Sequence, residues 1–435
     1  MKSKLSLAIA FFAVLLTIWA CAPFRSSTPL TTPTQQPPVT VSASTQTTIP
    51  TQVPIPTSQD TVVPPTATPL PTIQPQPAAP AHYPVGSDIQ LDSITMVNLT
   101  EGWGISGPYL LVTADGGKTW REVTPPVISP PGAVVQIYGT FLDPQVAWVI
   151  FSADDQIPPE ASVWHTTDGG KTWTPSLPLL HQAFGETMWA SLVAPDVNNA
   201  WLLISAVTLG AGTHYNNQFL HSMDGGITWT SYNGDVNWGY TGMVFLDASY
   251  GWLTWQQGGG AYGHLPPPFA ITSDGGATWE SHELPSPPDA PGLFDQYSHC
   301  EAYKPDLLSK QSIRLLMGCS DDMDPPQKFI SYLYTSEDGG NTWSTYHLPA
   351  PVIAAKDTLI YFDSNTALLL GRDIYRTKDG SITWSYVQTV NWDGQFSFWD
   401  SNSGWAVVRS SQGIALVMTN NGGEKWSLIK PTITR

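Results

Sequence analysis

The octet Thr113-Ala114-Asp115-Gly116-Gly117-Lys118-Thr119-Trp120 decides the fold, because it returns six times. It reads TTDGGKTW from Thr166, SMDGGITW from Ser222, TSDGGATW from Thr272, SEDGGNTW from Ser336, TKDGSITW from Thr377 and TNNGGEKW from Thr419. Its tryptophans are Trp120, Trp173, Trp229, Trp279, Trp343, Trp384 and Trp426, spaced 41 to 64 residues apart. One octet would be weak evidence, but seven in one chain mark a repeat architecture. The local chemistry is that of a turn. Glycine supplies positive φ, and an Asp side chain accepts hydrogen bonds from N–H groups of its own turn. Asp115, Asp168, Asp224, Asp274, Asp338 and Asp379 fill the acid position and Asn421 ends the series. That exchange keeps the acceptor and drops the charge, which points to turn bracing rather than to a catalytic or calcium-binding series.

A second motif precedes most octets: an apolar run, an acid, a short turn, then Gly-Trp or Ala-Trp. Examples are TMVNLTEGWGIS, TFLDPQVAWVIF, LVAPDVNNAWLLI, MVFLDASYGWLTW and FSFWDSNSGWAVV. The sixth copy, YFDSNTALLLG, lacks the Trp, and the fifth, around Lys304 to Leu316, is the most degenerate. Each unit reads as strand, turn, strand, loop, strand, Asp-Gly-Gly turn, strand. Four strands in about 40–60 residues is the pattern of a β-propeller blade. The expectation is therefore an all-β chain with a single seven-bladed propeller of four-stranded antiparallel blades over residues 85–435.

Composition agrees and excludes other classes. Charged residues are 12% of the chain while Trp numbers 19, which argues against helical bundles and coiled coils. Acids outnumber bases 35 to 18. The first 84 residues hold three bases and one acid, so the remainder carries about −19 of the −17 total. So few bases argue against a nucleic-acid partner.

Residues 1–20 pair a basic start, Lys2 and Lys4, with an apolar core from Leu5 to Ala20. This is an export signal rather than a spanning helix. The run Ile18-Trp19-Ala20-Cys21 resembles the lipobox of bacterial lipoproteins, which implies lipidation of Cys21 and an extracytoplasmic, membrane-anchored protein. Residues 21–84 are dominated by Pro, Thr, Ser, Gln, Val and Ala. Such a composition buries too little apolar surface to fold and favours extended polyproline segments. At about 3.1 Å per residue it would reach on the order of 180 Å as a tether.

The octets are identified as Asp-box (BNR) repeats. Together with the acid-turn-Gly-Trp strand, they make the folded part resemble the photosystem II stability/assembly-factor-like propellers. Sortilin-type receptors, xyloglucanases and sialidases share the Asp-box more loosely. The resemblance implies the fold; its activities differ too widely to fix one. A sialidase would need an arginine triad, and Arg314, Arg372 and Arg409 fall in or just after the second strands of units five to seven. It would also need an Arg-Ile-Pro motif, which the sequence lacks. An extracellular glycoside hydrolase is kept as the alternative to a non-enzymatic module.

In a four-stranded blade the loops after strands two and four share one face, and the long insertions fall there. Aromatic and polar residues concentrate in them: His214, Tyr215, Trp238, Tyr240, Tyr262, His264, Tyr297 and Trp392. This face is the candidate binding surface for a protein or a glycan, with aromatic rings as anchors. Carboxylates there include Asp154, Asp155, Glu160, Asp321, Asp322 and Asp324. The run SDDMDPP lacks the spacing of a calcium loop, and the nine histidines show no zinc-ligand spacing. No cofactor is expected, and the chain is expected to be a monomer. Cys300 and Cys319 flank the degenerate part of unit five in an exported protein, so they are expected to pair.

Overall fold

The computed structural model describes residues 73–127, 133–158, 160–179, 187–208, 214–232, 239–256, 265–297, 299–321, 328–349 and 358–435. Cys21, Trp238, Tyr262, His264, Asp322 and Asp324 lie outside them, and His214 and Tyr215 are described in backbone only.

Seven sheets follow one another along the chain, each of four consecutive antiparallel strands, except that in blade five the first strand is split into His299–Ala302 and Asp306–Leu307. The first blade is Ser93–Met96, Gly102–Ser106, Tyr109–Thr113 and Thr119–Glu122. The seventh is Asp393–Phe398, Gly404–Ser410, Gly413–Thr419 and Ser427–Ile429. First strands touch where blade two meets three, three meets four, four meets five and seven meets one, so they form the inner wall of the ring. This is the seven-bladed β-propeller that the repeats predict. Among the described residues only Leu293–Gln296 is helical.

Two short segments extend the blades at the outer edge. Thr432–Ile433 pairs in parallel with Thr119 and Trp120 of blade one. Gln76–Pro77 pairs antiparallel with Trp173 and Thr172 of blade two. Backbone pairing thus begins before residue 85, inside the stretch whose composition reads as a tether. Edge pairing needs main-chain groups rather than an apolar core, which is why composition does not announce it.

The core lies between blades. Trp103, Trp120, Trp148, Trp173, Trp201, Trp252 and Trp405 are all at most 1% exposed. In boxes three and five the second glycine is where the preceding blade's tryptophan packs. A Cβ at Gly226 would sit 2.4 Å from the Trp148 ring, and one at Gly340 2.6 Å from Trp252. Gly226 also has φ of 82°, so both packing and backbone demand glycine.

Strand register shows what replaces the missing tryptophans. Trp148 lies opposite His165, one residue before the box threonine, and Arg314 lies in the same place opposite Thr335. In blade six that place is taken by Leu368, opposite Arg376. Arg314 is 4% exposed and spans the junction as an indole would. Its guanidinium donates to the carbonyls of Ile313, Ser336 and Ser364, pairs with Glu337 at 2.7 Å and lies over the Tyr361 ring. Opposite it, Ser381 replaces the second glycine at φ 77°, and its hydroxyl bonds the Tyr361 hydroxyl.

Candidate functional site

Both turns on the octet face are braced from within, seven times over. In the first box the Thr113 hydroxyl donates to Asp115 Oδ1 and accepts from Gly117 N–H. Asp115 also accepts from the N–H and hydroxyl of Thr119, at 2.8 and 2.7 Å. Asn421 keeps the Oδ1 bonds, to Thr419 and to Lys425 N–H. The acid of the second motif caps its own turn in the same manner. Asp143 Oδ1 accepts from Gln145 and Val146 N–H, and Asn98 and Ser309 do the same where the acid is lost. The two turns join in every blade: the first box residue after the Asp or Asn donates its N–H to the neighbouring turn, from Gly116 to Thr100 through Gly422 to Asn402.

These bonds set the charges. Hydrogen bonds from Thr342 and Ser336 hold Asp338 down at about 2. Burial pushes Asp115 up, but donors on Thr119, Thr113 and Lys118 outweigh it and leave the carboxyl below its ordinary value. Asp168, Asp224, Asp274 and Asp379 are likewise lowered. The repeated acids are therefore held as anions at neutral pH and are used in holding turns.

The arginines are similarly committed. Arg314 is built into the junction of blades five and six. Arg372 pairs with Asp393 at 2.8 Å, and Arg409 donates to the Asp92 carbonyl at 2.7 Å. Each guanidinium has its own partner rather than a shared anion site. Among the described residues no group of three His, Cys, Asp or Glu is placed to hold a metal.

Three candidate residues of the long-loop face have described side chains. Tyr240 packs against the Trp201 and Leu203 cluster, with its hydroxyl buried and without a partner among the described residues. Tyr297 packs beside Phe294 and Tyr332. Trp392 meets Trp426 edge-on at 5.6 Å. Each therefore contributes to packing between or beneath blades. Nearby, Asp154 and Asp155 form a tight turn with φ of 50° and 57°. Asp154 accepts from Val134 N–H and Asp155 from the Gln136 amide. Cys300 and Cys319 face one another in register and are joined by a disulfide.

Sequence reasoning missed one carboxyl and two grooves. Asp306 belongs to the inner wall of blade five, opposite Arg314. Burial of its carboxyl pushes it up to about 6, against the pull of Lys304. Its single-residue context in the least regular repeat carries no motif. One groove, of about 250 Å³, lies between blades one and two, lined by Arg121, Lys171, Glu101, Asp168 and the terminal Thr434 and Arg435. The other, of about 410 Å³, lies between blades six and seven along Arg376, Lys378, Ser385, Tyr386, Val387 and Glu424. Both are made by residues far apart in the chain, so spacing does not signal them.

No family model and no curated protein matches the chain. Among solved structures it is similar to YCF48 bound to a D1 peptide, at 18% identity and a TM-score of 0.48, over 81% of this chain and 99% of that one. YCF48 from Cyanidioschyzon merolae is 16% identical with a TM-score of 0.43, over 69% and 86%. A GH74 enzyme from Niastella koreensis is 14% identical with a TM-score of 0.33, over 78% of this chain and 62% of that one. At such identities these likenesses carry no activity over to this chain.

Proposed function

We propose that this protein is a lipid-anchored, extracytoplasmic binding module that presents its long-loop face to a protein or a glycan, without catalysing a reaction. The observation that carries the reading is the asymmetry of the two faces. One face repeats the same pair of braced turns in all seven blades. The other collects the segments that differ in length and sequence from blade to blade. Variable loops on a rigid scaffold are how a fold of this kind acquires a ligand. A lipidated Cys21 followed by an extended tether would hold that face away from the membrane. The described aromatic candidates pack against their neighbours, which leaves His214, Tyr215, Trp238, Tyr262 and His264 as contact candidates, and Trp238 and Tyr262 are tested first.

The test uses the full exported chain. Proximity labelling on intact cells and a glycan array are run for the wild type and for Trp238→Ala combined with Tyr262→Ala. The reading expects one ligand to disappear from the variant's set while the folded fraction is unchanged. An identical ligand set would overturn it.

A glycoside hydrolase on the same scaffold is the second reading, favoured by Asp306, a carboxyl of raised pKa in the inner wall. Such chemistry needs two carboxyl groups, about 5–9.5 Å apart. Hydrolysis of aryl glycosides that is lost in Asp306→Asn would favour it over the binding module.

A further inference from the structure

We propose that the outer edge of blade six, Ser385–Thr389, is a docking site for an extended segment of a second polypeptide, which adds a strand to that blade. The molecule itself supplies the precedent. On blade one, Thr432–Ile433 runs parallel to Thr119 and Trp120, and Thr434 N–H donates to the Trp120 carbonyl at 2.7 Å. Thr434 and Arg435 then wall the groove between blades one and two. The groove between blades six and seven occupies the equivalent place in the repeat, since its Thr383 and Lys378 correspond to Thr119 and Ala114 of the first box. No described segment pairs with the outer strand there.

Blade six differs from the other open edges. Its outer strand is five residues long, while those of blades three, four, five and seven have three or four. Its sequence SYVQT is rich in strand-forming residues and, like the edges of blades three and seven, holds no charge, whereas blade four's edge carries Glu280 and Glu283. Exposed edges are normally blunted by charge or shortness, because their free N–H and C=O groups template pairing. This one carries no charge, although a register shift at Val387 interrupts its ladder with Asp373–Thr377, and Tyr386 stands 58% exposed on it. Strand addition at such an edge is a known mode of peptide capture. The groove fits a segment with an apolar residue beside Tyr386 and a carboxylate within reach of Lys378, which forms no ion pair among the described residues.

The probe is the hexapeptide Glu-Pro-Thr-Ile-Thr-Glu, which is the sequence of residues 430–435 with acidic ends, added to the full chain. Amide exchange at Ser385–Thr389 is expected to slow about tenfold at saturation, with no change at Glu280–Glu283. Tyr386→Lys and, separately, Thr389→Lys should abolish the protection; both side chains are exposed, so the blade survives the change. Protection that persists in both variants, no protection at millimolar peptide, or edge amides already protected in the free protein through dimerisation would each overturn the proposal.

Discussion

The indole N–H of Trp405 donates to the carbonyl oxygen of Gly116 at 2.9 Å, joining the seventh blade to the first across 289 residues of chain. Trp201 makes the same bond to Gly275 in the next blade at 2.8 Å. The ring is therefore closed by the same side-chain device that joins blades three and four. Trp405→Phe should lose that bond, at about 1 kcal/mol. Trp405→Ala should lose the packing as well, at about 3–5 kcal/mol. Urea unfolding checks both; no loss in Trp405→Phe would mean that the hydrogen bond adds nothing, and equal losses that the packing adds nothing beyond it.

Arg314 predicts a contrast between two arginines. Arg314→Ala takes the donor from the buried carbonyls of Ile313 and Ser336 and empties a packed position, so it should destabilise by about 2–4 kcal/mol. Arg409→Ala removes an exposed donor and should stay within about 0.5 kcal/mol. Comparable losses in thermal unfolding would deny Arg314 its place as the substitute for tryptophan.

The pH dependence has two limbs of opposite sign. Box carboxyls are lowered by folding, so the stability they give is present above the unfolded value near 4 and is lost as pH falls toward about 2, the folded value of Asp338. Asp338→Asn should fold at neutral pH, as Asn421 does in the last box, and show a shallower acid limb. Asp306 is raised, so the folded state binds its proton more tightly than the unfolded chain does. Stability should therefore fall as pH rises from about 4 through about 6, and Asp306→Asn should flatten that window. Urea midpoints measured from pH 2 to 7 would reveal either limb.

The bond between Cys300 and Cys319 closes a loop of 19 residues in the least regular blade. Its removal by Cys300→Ser with Cys319→Ser should cost about 3 kcal/mol on the chain-entropy account. Two alkylatable thiols in the unreduced protein would contradict the pairing.

The sequence makes the ring legible because each blade repeats its own turn chemistry within eight residues. Asp115 and Thr119 find each other locally, so spacing reveals them. Arg314 is legible only through register, because a tryptophan position filled by arginine looks like a lost motif until the strands are paired. Thr432–Ile433 and the edge it covers on Thr119–Trp120 are joined by backbone groups that every sequence has. The long-loop face was legible as a place, but not as a surface. Tyr240 and Trp392 look like exposed anchors in the chain, yet packing between blades draws them inward.

The central claim is that ligands meet the variable face while the octet face is structural. A photo-crosslinking residue placed at Tyr262 and, separately, at the exposed box position Met223 tests this most directly in the full chain on intact cells. The account predicts a specific adduct from position 262 that is lost in Trp238→Ala, and none from position 223. A specific adduct from position 223 with none from 262 would contradict it.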